Sequence, residues 1–547
     1  MWISSLYRFF FHVNSVWQSL TQSRRKTPAR SPPSPPHTHQ NQSPIDWFIE
    51  VLTSSEPPLL LFPRHLNRTA DFSSSIFSPE MGSPENGSDE PLTPAGRLFL
   101  QKEMNQVIYC VVGLKHPLDV DALKSAIQSS LMVKHPRFCS LMVRDSAGRE
   151  HWRRTRVDID RHVVAVHGPV ADGLSDEAAV NEYLADLSTD SPGLLGDDKP
   201  LWDVHLLMAH RCVVFRIHHA LGDGISLMSM FLASCRRVDD PEALPTIGPS
   251  SSAKRRSGGG GGAWWKAVVR VLEVLWFTVV FVVEFVLRSM WASDRKTPVS
   301  GGAGVELWPR KLATARFCLE DMKVVKSAVA SATINDVLFG IISAGLFKYL
   351  DHRSPDAVRE GTRITGVAMV NLREQPGLQE LSNLMQGNPG LRWGNKFGIL
   401  LLPVHYHRSC GDPLEHLRKA KSMIDRKKKS LEAHFSYKIG DIVMASLGPH
   451  VASLLNYRIV CNTTFTISNV LGPQEEIAIL GNPITYIRAN SSSLPHALTM
   501  HMVSYAGRAD MQILVAKDII PDPDFLAKCF EDALLEMKAA ASAALNK

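Results

Sequence analysis

The chain has 547 residues, of which 44% are hydrophobic and 21% charged, a composition typical of a globular protein with more than one domain. Its net charge of +6 allows contact with anionic lipid or phosphate groups but is too small to indicate a nucleic-acid-binding protein. The cysteines form no Cys-x-x-Cys pair, which indicates reduced thiols and not a disulfide framework.

Residues 1–89 differ in composition from the rest of the chain. An aromatic run from Leu6 to Val13 is followed by a basic, Pro/Ser-rich stretch without any acidic residue before Asp46. This composition is typical of a transit peptide or of disorder. The alternative is that translation starts at Met81 and that the upstream residues are not part of the native protein. We therefore expect residues 1–89 to be a disordered or non-native extension, and residues 1–80 to be dispensable for activity.

The segment 90–246 has the mixed pattern of an α/β subdomain. An apolar run from Gln106 to Leu114 predicts a strand, and Asp119 is a good N-cap for a helix that Pro136 would end. Three later apolar runs predict strands: Val163–Val166, Asp203–Met208 and Cys212–Ile217. A short polar break separates the last two, which predicts a hairpin.

The segment 247–305 predicts a flexible linker followed by a helix. The linker, Pro249–Gly262, is rich in Ser and Gly, and the apolar helix covers Trp264–Trp291. The charged residues of the helix fall on one stripe at helical spacing: Lys266, Arg270, Glu273, Glu284 and Arg288. Only Val274–Val283 is free of charge, which is short for a membrane span. We therefore predict a helix that binds a membrane surface without crossing it.

The segment 306–547 returns to the mixed pattern. It predicts a helix over Thr333–Leu350, basic helices over Pro413–Phe435 and an amphipathic closing helix from Phe525 to Met537. Apolar runs predict strands at Ile364–Val370, Phe397–Val404, Thr463–Ser468, Ile484–Ile487 and Met511–Ala516. The alternation indicates an α/β protein with two α/β subdomains, 90–246 and 306–547, on either side of a hydrophobic helical linker.

The most informative segment follows the predicted strand Cys212–Ile217. It reads His218-His219-Ala220-Leu221-Gly222-Asp223-Gly224 and leads into an amphipathic helix. A strand that ends in polar residues before a helix can present them to a cleft without burying unpaired charge. A His-His-x-x-x-Asp-Gly match arises by chance in roughly a few chains per thousand, so the motif is specific.

This motif resembles the H-H-x-x-x-D-G motif of the CoA-dependent acyltransferase superfamily and, more narrowly, that of the plant and bacterial wax ester synthase/diacylglycerol acyltransferase family. Further segments match the narrower family in its order: Pro91-Leu92-Thr93-Pro94, Pro200-Leu201-Trp202, Thr333-Ile334-Asn335-Asp336, Val370-Asn371-Leu372-Arg373, Gly394-Asn395-Lys396-Phe397-Gly398 and Ser468-Asn469-Val470-Leu471-Gly472-Pro473. The resemblance covers the chain from the first of these segments to the closing helix.

The resemblance implies both a fold and an activity. Two chloramphenicol-acetyltransferase-like subdomains would form a tunnel for acyl-CoA and for a long-chain alcohol or diacylglycerol. His219 would accept the proton of the acceptor hydroxyl as this attacks the thioester, a role that suits an imidazole with an unperturbed pKa of about 6.5. Acyl-CoA would be a substrate, so we expect no cofactor and no covalent acyl-enzyme.

The neighbouring residues each have a catalytic and a structural interpretation. His218 is a catalytic candidate, but packing or a hydrogen bond to the backbone explains it as well. Asp223 could orient the catalytic histidine as in a triad, whereas the resemblance implies that it braces the loop through an arginine. Gly224 is expected where a side chain would block the helix or the substrate. The resemblance makes Asn335 an oxyanion or substrate donor, and with Asp336 it also fits a pair of helix caps.

Two weaker patterns favour structural interpretations. The residues His405-Tyr406-His407…Cys410 are of metal-ligand types, but alternate strand positions that end at a turn explain them, and we expect no metal site. The basic residues between Arg418 and Lys429 could meet CoA phosphates or lipid headgroups, although a solvated helix face is the default.

Three functions stay open on these grounds: acyl transfer to a lipid alcohol, acyl transfer to a soluble phenolic or amine acceptor, and lipid binding without catalysis. The apolar linker helix disfavours the second function and the intact motif disfavours the third. Basic residues on both sides of the helix, Lys254-Arg255-Arg256 and Arg295-Lys296, indicate the cytosolic face of the endoplasmic reticulum membrane, with the plasma membrane as the alternative.

Overall fold

The computed structural model describes residues 90–189, 195–196, 198–246, 263–355, 358–373, 393–407 and 411–545. The predicted extension at 1–89 and the predicted linker at 249–262 lie outside the described residues, so both stay predictions. Within the described residues, two large β-sheets and the helices packed on them form two halves, and one long helix lies between the halves in sequence.

The first half contains the predicted α/β pattern. Its elements are β1 (Glu90–Pro91), α1 (Pro94–Phe99), β2 (Val107–Leu114), α2 (Val120–Ser129), α3 (Leu131–Lys134), β3 (Ser140–Arg144), β4 (Glu150–Arg154), β5 (Val163–Val166), α4 (Asp176–Thr189), β6 (Trp202–Leu207), β7 (Cys212–His218), α5 (Gly224–Ala233) and β8 (Cys235–Arg237). Strands β6 and β7 form the predicted hairpin, in which Trp202 pairs with Ile217 and Leu207 with Cys212. Strands β1, β4 and β3 form a separate small sheet.

The second half begins after a long helix, α6 (Ala263–Met290). It contains β9 (Arg310–Cys318), α7 (Leu319–Ser327), α8 (Ile334–Arg353), β10 (Arg363–Asn371), β11 (Phe397–His405), α9 (Leu414–Lys428), α10 (Glu432–Cys461), β12 (Phe465–Leu471), β13 (Ile477–Ile479), β14 (Asn482–Ser491), β15 (Leu498–Tyr505), β16 (Arg508–Ala516) and α11 (Pro523–Leu545). Six of these strands form one sheet in the order β11-β10-β12-β15-β16-β9. Helices α8 and α11 pack against this sheet in one apolar core. The two helices approach each other closely, because Gly345 of α8 leaves room for the ring of Phe530 of α11.

The second half contributes two strands to the sheet of the first half. The large sheet of the first half has the order β5-β6-β7-β2-β14-β13-β8, so β13 and β14 belong to it although they lie in the segment 306–547. Strand β14 pairs antiparallel with β2, with Ile487 opposite Val112 and Ser491 opposite Ile108. Because β2 would otherwise be an edge strand beside β7, the second-half segment completes the sheet of the first half. The α/β fold with two sheet-containing halves is confirmed, and these two strands join the halves.

Local details differ from the predictions at two places. The predicted helix after Asp119 begins at that N-cap but ends at Ser129, because Ser130 adopts an extended conformation and a separate short helix follows it. The basic helix from Pro413 breaks after Lys428, and α10 then runs well beyond the predicted end, with a kink at Gly448. A positive φ of 84° at Gly448, directly before Pro449, accounts for this kink.

Three residues of the charged stripe of α6 contact the second half. Glu273 pairs with Lys429 at 3.1 Å, and Glu284 pairs with Arg363. Arg288, only 6% exposed, pairs with Asp294 at 2.8 Å. These contacts attach the helix to the second half along its polar side, together with the buried ring of Phe285 in a small apolar cluster.

The opposite face of α6 is apolar and exposed, and we call it the outward face. It consists of Trp265, Val268, Val269, Val271, Leu272, Leu275, Trp276, Val279, Val280, Val283, Val286 and Leu287. Trp276 leaves 66% and Leu272 59% of its surface accessible, values unusual for side chains of this kind. In the described part of the chain, no helix has the length and the hydropathy that a membrane crossing requires.

Candidate active site

The histidine pair His218 and His219 lies in the motif loop, His218–Gly224, which connects β7 to α5. His218 is 2% exposed, its Nδ1 accepts a hydrogen bond from the backbone N–H of Ala220 at 3.1 Å, and its Nε2 lies 2.6 Å from Oδ1 of Asn105. Burial lowers the pKa of His218 to about 3, so the ring is neutral. Both ring nitrogens are engaged in holding the loop, as the structural interpretation of His218 predicts.

His219, the next residue, is half-buried and held on three sides. Its ring stacks on Phe99 with the ring centroids 4.0 Å apart, and its backbone N–H donates to the carbonyl oxygen of Gln106 at 2.8 Å. Nδ1 of His219 lies 3.1 Å from Oδ1 of Asn395, whose Nδ2 donates to the backbone oxygen of His219 at 2.8 Å. Asn395 thus contacts both the ring and the backbone of the same residue.

These two contacts with Asn395 determine the tautomer of His219. Nδ2 of the amide can only donate, and its partner is a carbonyl oxygen, so Oδ1 must be the atom that faces the imidazole ring. Because Oδ1 can only accept, the ring proton sits on Nδ1 and Nε2 keeps its lone pair. Nε2 is therefore the atom of His219 that can take up a proton.

The electrostatic surroundings keep this imidazole in the basic form. Burial lowers the pKa of His219 below its usual value, and the charge of Asp223 and the hydrogen bond that the ring donates to Asn395 oppose this shift only in part. An imidazole with a lowered pKa is unprotonated near neutral pH, which is the state that a general base requires.

Asp223 holds the loop and makes no hydrogen bond to the imidazole of His219. Its Oδ1 accepts from the backbone N–H of Ser226 at 3.0 Å and so caps α5. Its Oδ2 accepts from Arg373 at 2.7 Å and from the backbone N–H of Lys396 at 3.0 Å. The structure therefore places Asp223 in the arginine brace that the resemblance implies and not in a triad. Lys396 directly follows Asn395, so Asp223 also fixes the residue that orients the ring.

Gly224 lies where the two halves touch. A Cβ atom at this position would come within 3.3 Å of Cγ2 of Val470 on β12, so any side chain would push α5 away from the second half. Gly224 also lines an apolar cavity of about 760 Å³ between the first-half sheet and its helices. Further lining residues are Ile108, Phe215, Ile217, Leu227, Phe231 and Val470. The cavity lining includes Gly224 but not His219 itself.

Comparison with known proteins identifies the family of this chain. The family models for the wax ester synthase/diacylglycerol acyltransferase catalytic domain and the WS/DGAT C-terminal domain match residues 110–338 and 393–538. Wax ester synthase/diacylglycerol acyltransferase 5 of Arabidopsis thaliana is 35% identical over 480 residues, which cover 82% of this chain and 93% of the relative. Number 11 of the same plant is 35% identical over 476 residues, or 83% and 96% of the two chains. The chain belongs to the wax ester synthase/diacylglycerol acyltransferase family.

Solved structures agree on the fold of this family member. The wax ester synthase/diacylglycerol acyltransferase from Marinobacter aquaeolei VT8 superposes with a TM-score of 0.51 at 18% identity and covers 83% of this chain and 100% of its own. The first condensation domain of the calcium-dependent antibiotic synthetase gives a TM-score of 0.51 at 14% identity, covering 84% and 97%. At these identities the likeness concerns the fold alone.

Asn395 is the site residue that the sequence analysis did not single out. It lies in the segment Gly394-Asn395-Lys396-Phe397-Gly398, which was noted only as a match to the family. Gly394 has a φ of +110°, and a Cβ atom there would lie 2.7 Å from Arg137. The glycine before a short polar pair, just ahead of a strand, was the available signal that the backbone makes a special turn at this point.

Asn335 does not act as a helix cap, although its neighbour Asp336 does. The capping box of α8 consists of Thr333 and Asp336, so Asn335 is not part of it. Asn335 is exposed, and its Oδ1 accepts a hydrogen bond from Nδ2 of Asn469 on β12 at 2.8 Å. Its role as a substrate or oxyanion donor stays a prediction.

The weaker sequence patterns are largely occupied by structural contacts. His407 pairs with Glu360 at 2.6 Å, whereas Cys410 lies outside the described residues. Among the described residues, no cluster of metal-ligand side chains occurs. In the basic run, Arg418 pairs with Asp412 at 2.8 Å and Lys427 pairs with Glu432 in the protein interior, 2.8 Å apart.

Proposed function

We propose that this chain is an acyl-CoA-dependent O-acyltransferase that esterifies a long-chain alcohol or diacylglycerol, with His219 as the general base. The observation that carries the proposal is the orientation of His219 by Asn395, which leaves the lone pair of Nε2 free on a neutral ring. This arrangement is the one that deprotonation of a hydroxyl requires. Membership of the wax ester synthase/diacylglycerol acyltransferase family supports the choice of substrates.

The proposed reaction needs no covalent enzyme intermediate. The acceptor hydroxyl attacks the thioester carbonyl, the new C–O bond forms, and the hydroxyl proton moves to Nε2 of His219. The resulting tetrahedral oxyanion collapses, the C–S bond breaks, and the imidazolium returns its proton to the thiolate of CoA. The products are one ester and one free CoA, so a single base that becomes the acid balances the proton transfers.

The proton transfers account for only part of the expected rate. General acid–base help of this kind contributes roughly 10²–10⁴-fold. The alignment of two bound substrates and hydrogen bonds to the developing oxyanion must supply the remainder. The contact between His219 of the first half and Asn395 of the second assembles the base from both halves. A change in the packing of the halves should therefore alter catalysis directly.

Two features support a lipid acceptor over a soluble phenol or amine. The cavity next to Gly224 is lined mostly by aliphatic and aromatic side chains, which suits an alkyl chain. The outward face of α6 presents an apolar surface that a soluble substrate would not require. We propose that this face lies in the cytosolic leaflet of the endoplasmic reticulum membrane, with the plasma membrane as the alternative.

The active site itself argues that α6 lies along the membrane surface. His219 precedes α6 in sequence and Asn395 follows it, yet their side chains are in contact. A helix that crossed the bilayer once would leave the two residues on opposite sides. An interfacial helix with its charged stripe bound to the protein avoids this conflict.

The substrate class can be tested with three acceptors. Purified protein receives radiolabelled palmitoyl-CoA with hexadecanol, with diolein, or with a soluble phenolic alcohol, and the labelled products are separated. We expect label in wax ester, in triacylglycerol or in both, with little in the phenolic ester. A phenolic ester as the main product would contradict the proposal that the acceptor is a lipid. The absence of product with all three acceptors would contradict the proposal that the protein is an acyltransferase.

A further inference from the structure

A second histidine faces the active site from the opposite half. His501 lies on β15, an interior strand of the second-half sheet between β12 and β16. Along β15, Met500 and Met502 pack into the core of the second half, whereas Val503 and Tyr505 pack with residues of the first half. Because side chains alternate along a strand, His501 points to the same side as Val503 and Tyr505. It is thus directed toward the half that carries His219.

His501 lies on the side of the second-half sheet that meets the motif loop, and its Nδ1 has no hydrogen-bond partner among the described residues. In the pairing of β15 with β12, His501 is opposite Ser468, two residues before Val470, the residue that lies against Gly224. Val503, on the same face of β15 as His501, lines the cavity together with Gly224. Nδ1 of His501 is buried, and no described residue bonds to it. Burial lowers the pKa of His501 to about 4, so the ring is a neutral imidazole with one N–H group.

His496, just before the same strand, is a buried histidine with a purely structural role, and both of its ring nitrogens have hydrogen-bond partners. His496 is fully buried, and its two ring nitrogens contact the hydroxyl groups of Thr463 and Thr466 at 2.9 and 2.7 Å. The contrast with His501 has an energetic meaning, because a buried polar group left unpaired costs roughly 1–3 kcal/mol. Such a group is explained if its partner arrives with the substrate.

We propose that His501 is a second catalytic group, whose ring N–H donates a hydrogen bond to the thioester carbonyl oxygen of acyl-CoA as negative charge develops there. This inference rests on the proposed acyltransferase function. The bonds that form and break are those given above, and His501 keeps its proton throughout. A neutral imidazole suits this task, because its N–H is a donor but too weak an acid to transfer the proton to the oxyanion.

The contacts of the two imidazole rings explain why one would act as the base and the other as a hydrogen-bond donor. The N–H of His219 is used by Asn395, so this ring offers only its lone pair to the acceptor hydroxyl. The N–H of His501 has no acceptor among the described residues and can serve the carbonyl oxygen. His219 of the first half would thus accept the proton of the acceptor hydroxyl, and His501 of the second half would donate a hydrogen bond to the carbonyl oxygen.

The test compares two replacements of His501 with a control in the full-length protein. His501→Phe keeps the ring volume but removes the donor, and His501→Gln restores an N–H at similar reach. His416→Phe is the matched control, because His416 is also a half-buried histidine of the second half but bonds to Ser343. Turnover of palmitoyl-CoA and hexadecanol, KM for both substrates and the melting temperature are measured for each protein.

We expect His501→Phe to lower kcat by roughly 10²-fold with little change in either KM, as loss of one oxyanion donor does. His501→Gln should recover at least a part of this loss, and His416→Phe should keep kcat. The acid limb of the pH profile should stay in place in His501→Phe, since the lost ring is neutral over that range.

Three results would overturn the proposal. Equal kcat in His501→Phe and wild type would remove His501 from catalysis, and a higher KM for the alcohol at unchanged kcat would assign it to acceptor binding. A parallel loss of kcat and melting temperature that His501→Gln does not relieve would make it a structural residue. If wild type itself forms no ester, the proposed function fails and not merely the role of His501.

Discussion

The motif loop and helix α6 differ in how their side chains are satisfied. In the motif loop, His218–Gly224, polar side chains are buried and receive partners from distant parts of the chain, such as Arg373 and Asn395. In α6, charged residues such as Glu284 also bind the protein, but large apolar side chains such as Trp276 point outward. The first region is specified by what it contacts within the protein, and the second by a surface that the described residues leave uncovered.

This difference indicates that the motif loop serves catalysis and that the outward face of α6 serves binding. A buried polar loop is expensive unless its groups are satisfied, so its arrangement has few alternatives and can hold a base within tenths of an ångström. An exposed apolar helix face gains free energy only when something apolar covers it. We therefore expect substitutions in the loop to affect chemistry or folding, and substitutions on the outward face to affect binding.

The strongest test of the loop is His219→Ala. It removes the proposed base while its neighbours keep their contacts, so ester formation should fall by roughly 10²–10⁴-fold with almost no change in melting temperature. Activity on palmitoyl-CoA and hexadecanol and thermal unfolding are measured side by side. His416→Ala, far from the motif in sequence, is the control for loss of a half-buried imidazole. Near-normal turnover in His219→Ala would end the proposed mechanism.

Asp223→Ala should act differently, because it affects the structure of the loop as well as its chemistry. The side chains of Asp223 and Arg373 are about one-tenth exposed, and removing one partner of such a buried pair costs roughly 3–5 kcal/mol of unfolding free energy. We expect the melting temperature and the activity to fall together.

The double variant Asp223→Ala with Arg373→Met provides the control for this pair. It also removes the buried guanidinium that has lost its carboxylate partner, so part of the lost stability should return while activity stays low. A single variant Asp223→Ala that is stable but inactive would instead favour the triad interpretation.

A smaller and more specific change should follow from Asn395→Asp. A carboxylate next to Nδ1 stabilises the imidazolium, so the pKa of His219 should rise from its lowered value. Because the base works only when unprotonated, the acid limb of kcat/KM should move to higher pH, with activity near pH 8 affected least. Asn469→Asp, which makes the same substitution at an exposed amide on β12, is the control. An unmoved limb would show that Asn395 does not set the state of His219.

The sequence predicted local features of both regions and missed what joins them. The strand that ends in His218, the N-cap role of Asp119 and the charged stripe of α6 follow from short-range patterns, and the structure contains all three. Family resemblance supplied His219 and Asp223 as candidates. The hydrogen bond to Asn395 spans 176 residues, and no periodicity along the chain encodes such a pairing.

The same limit explains the missed elements of the second half. Strand β15 is buried on both faces, so apolar residues occupy both sets of alternate positions and the two-residue periodicity of a strand is weak. The pairing of β14 with β2 joins two strands that are far apart in sequence, so no local sequence pattern predicts it. His501 therefore had no sequence signal, since its significance depends on the face of β15 to which it belongs.

The last prediction concerns the outward face of α6 and has the smallest expected effect on chemistry. Leu272→Glu and Trp276→Glu place charges where we propose contact with lipid, and they should weaken binding to vesicles of phosphatidylcholine and phosphatidylserine by roughly tenfold each. Turnover of a short, water-soluble alcohol should stay nearly unchanged, because both side chains point away from the protein. Leu535→Glu, at a 55% exposed position on α11, is the control and should bind vesicles normally. Unchanged vesicle binding in both α6 variants would assign the outward face to some other partner, and loss of soluble-substrate turnover would show that α6 supports the active site directly.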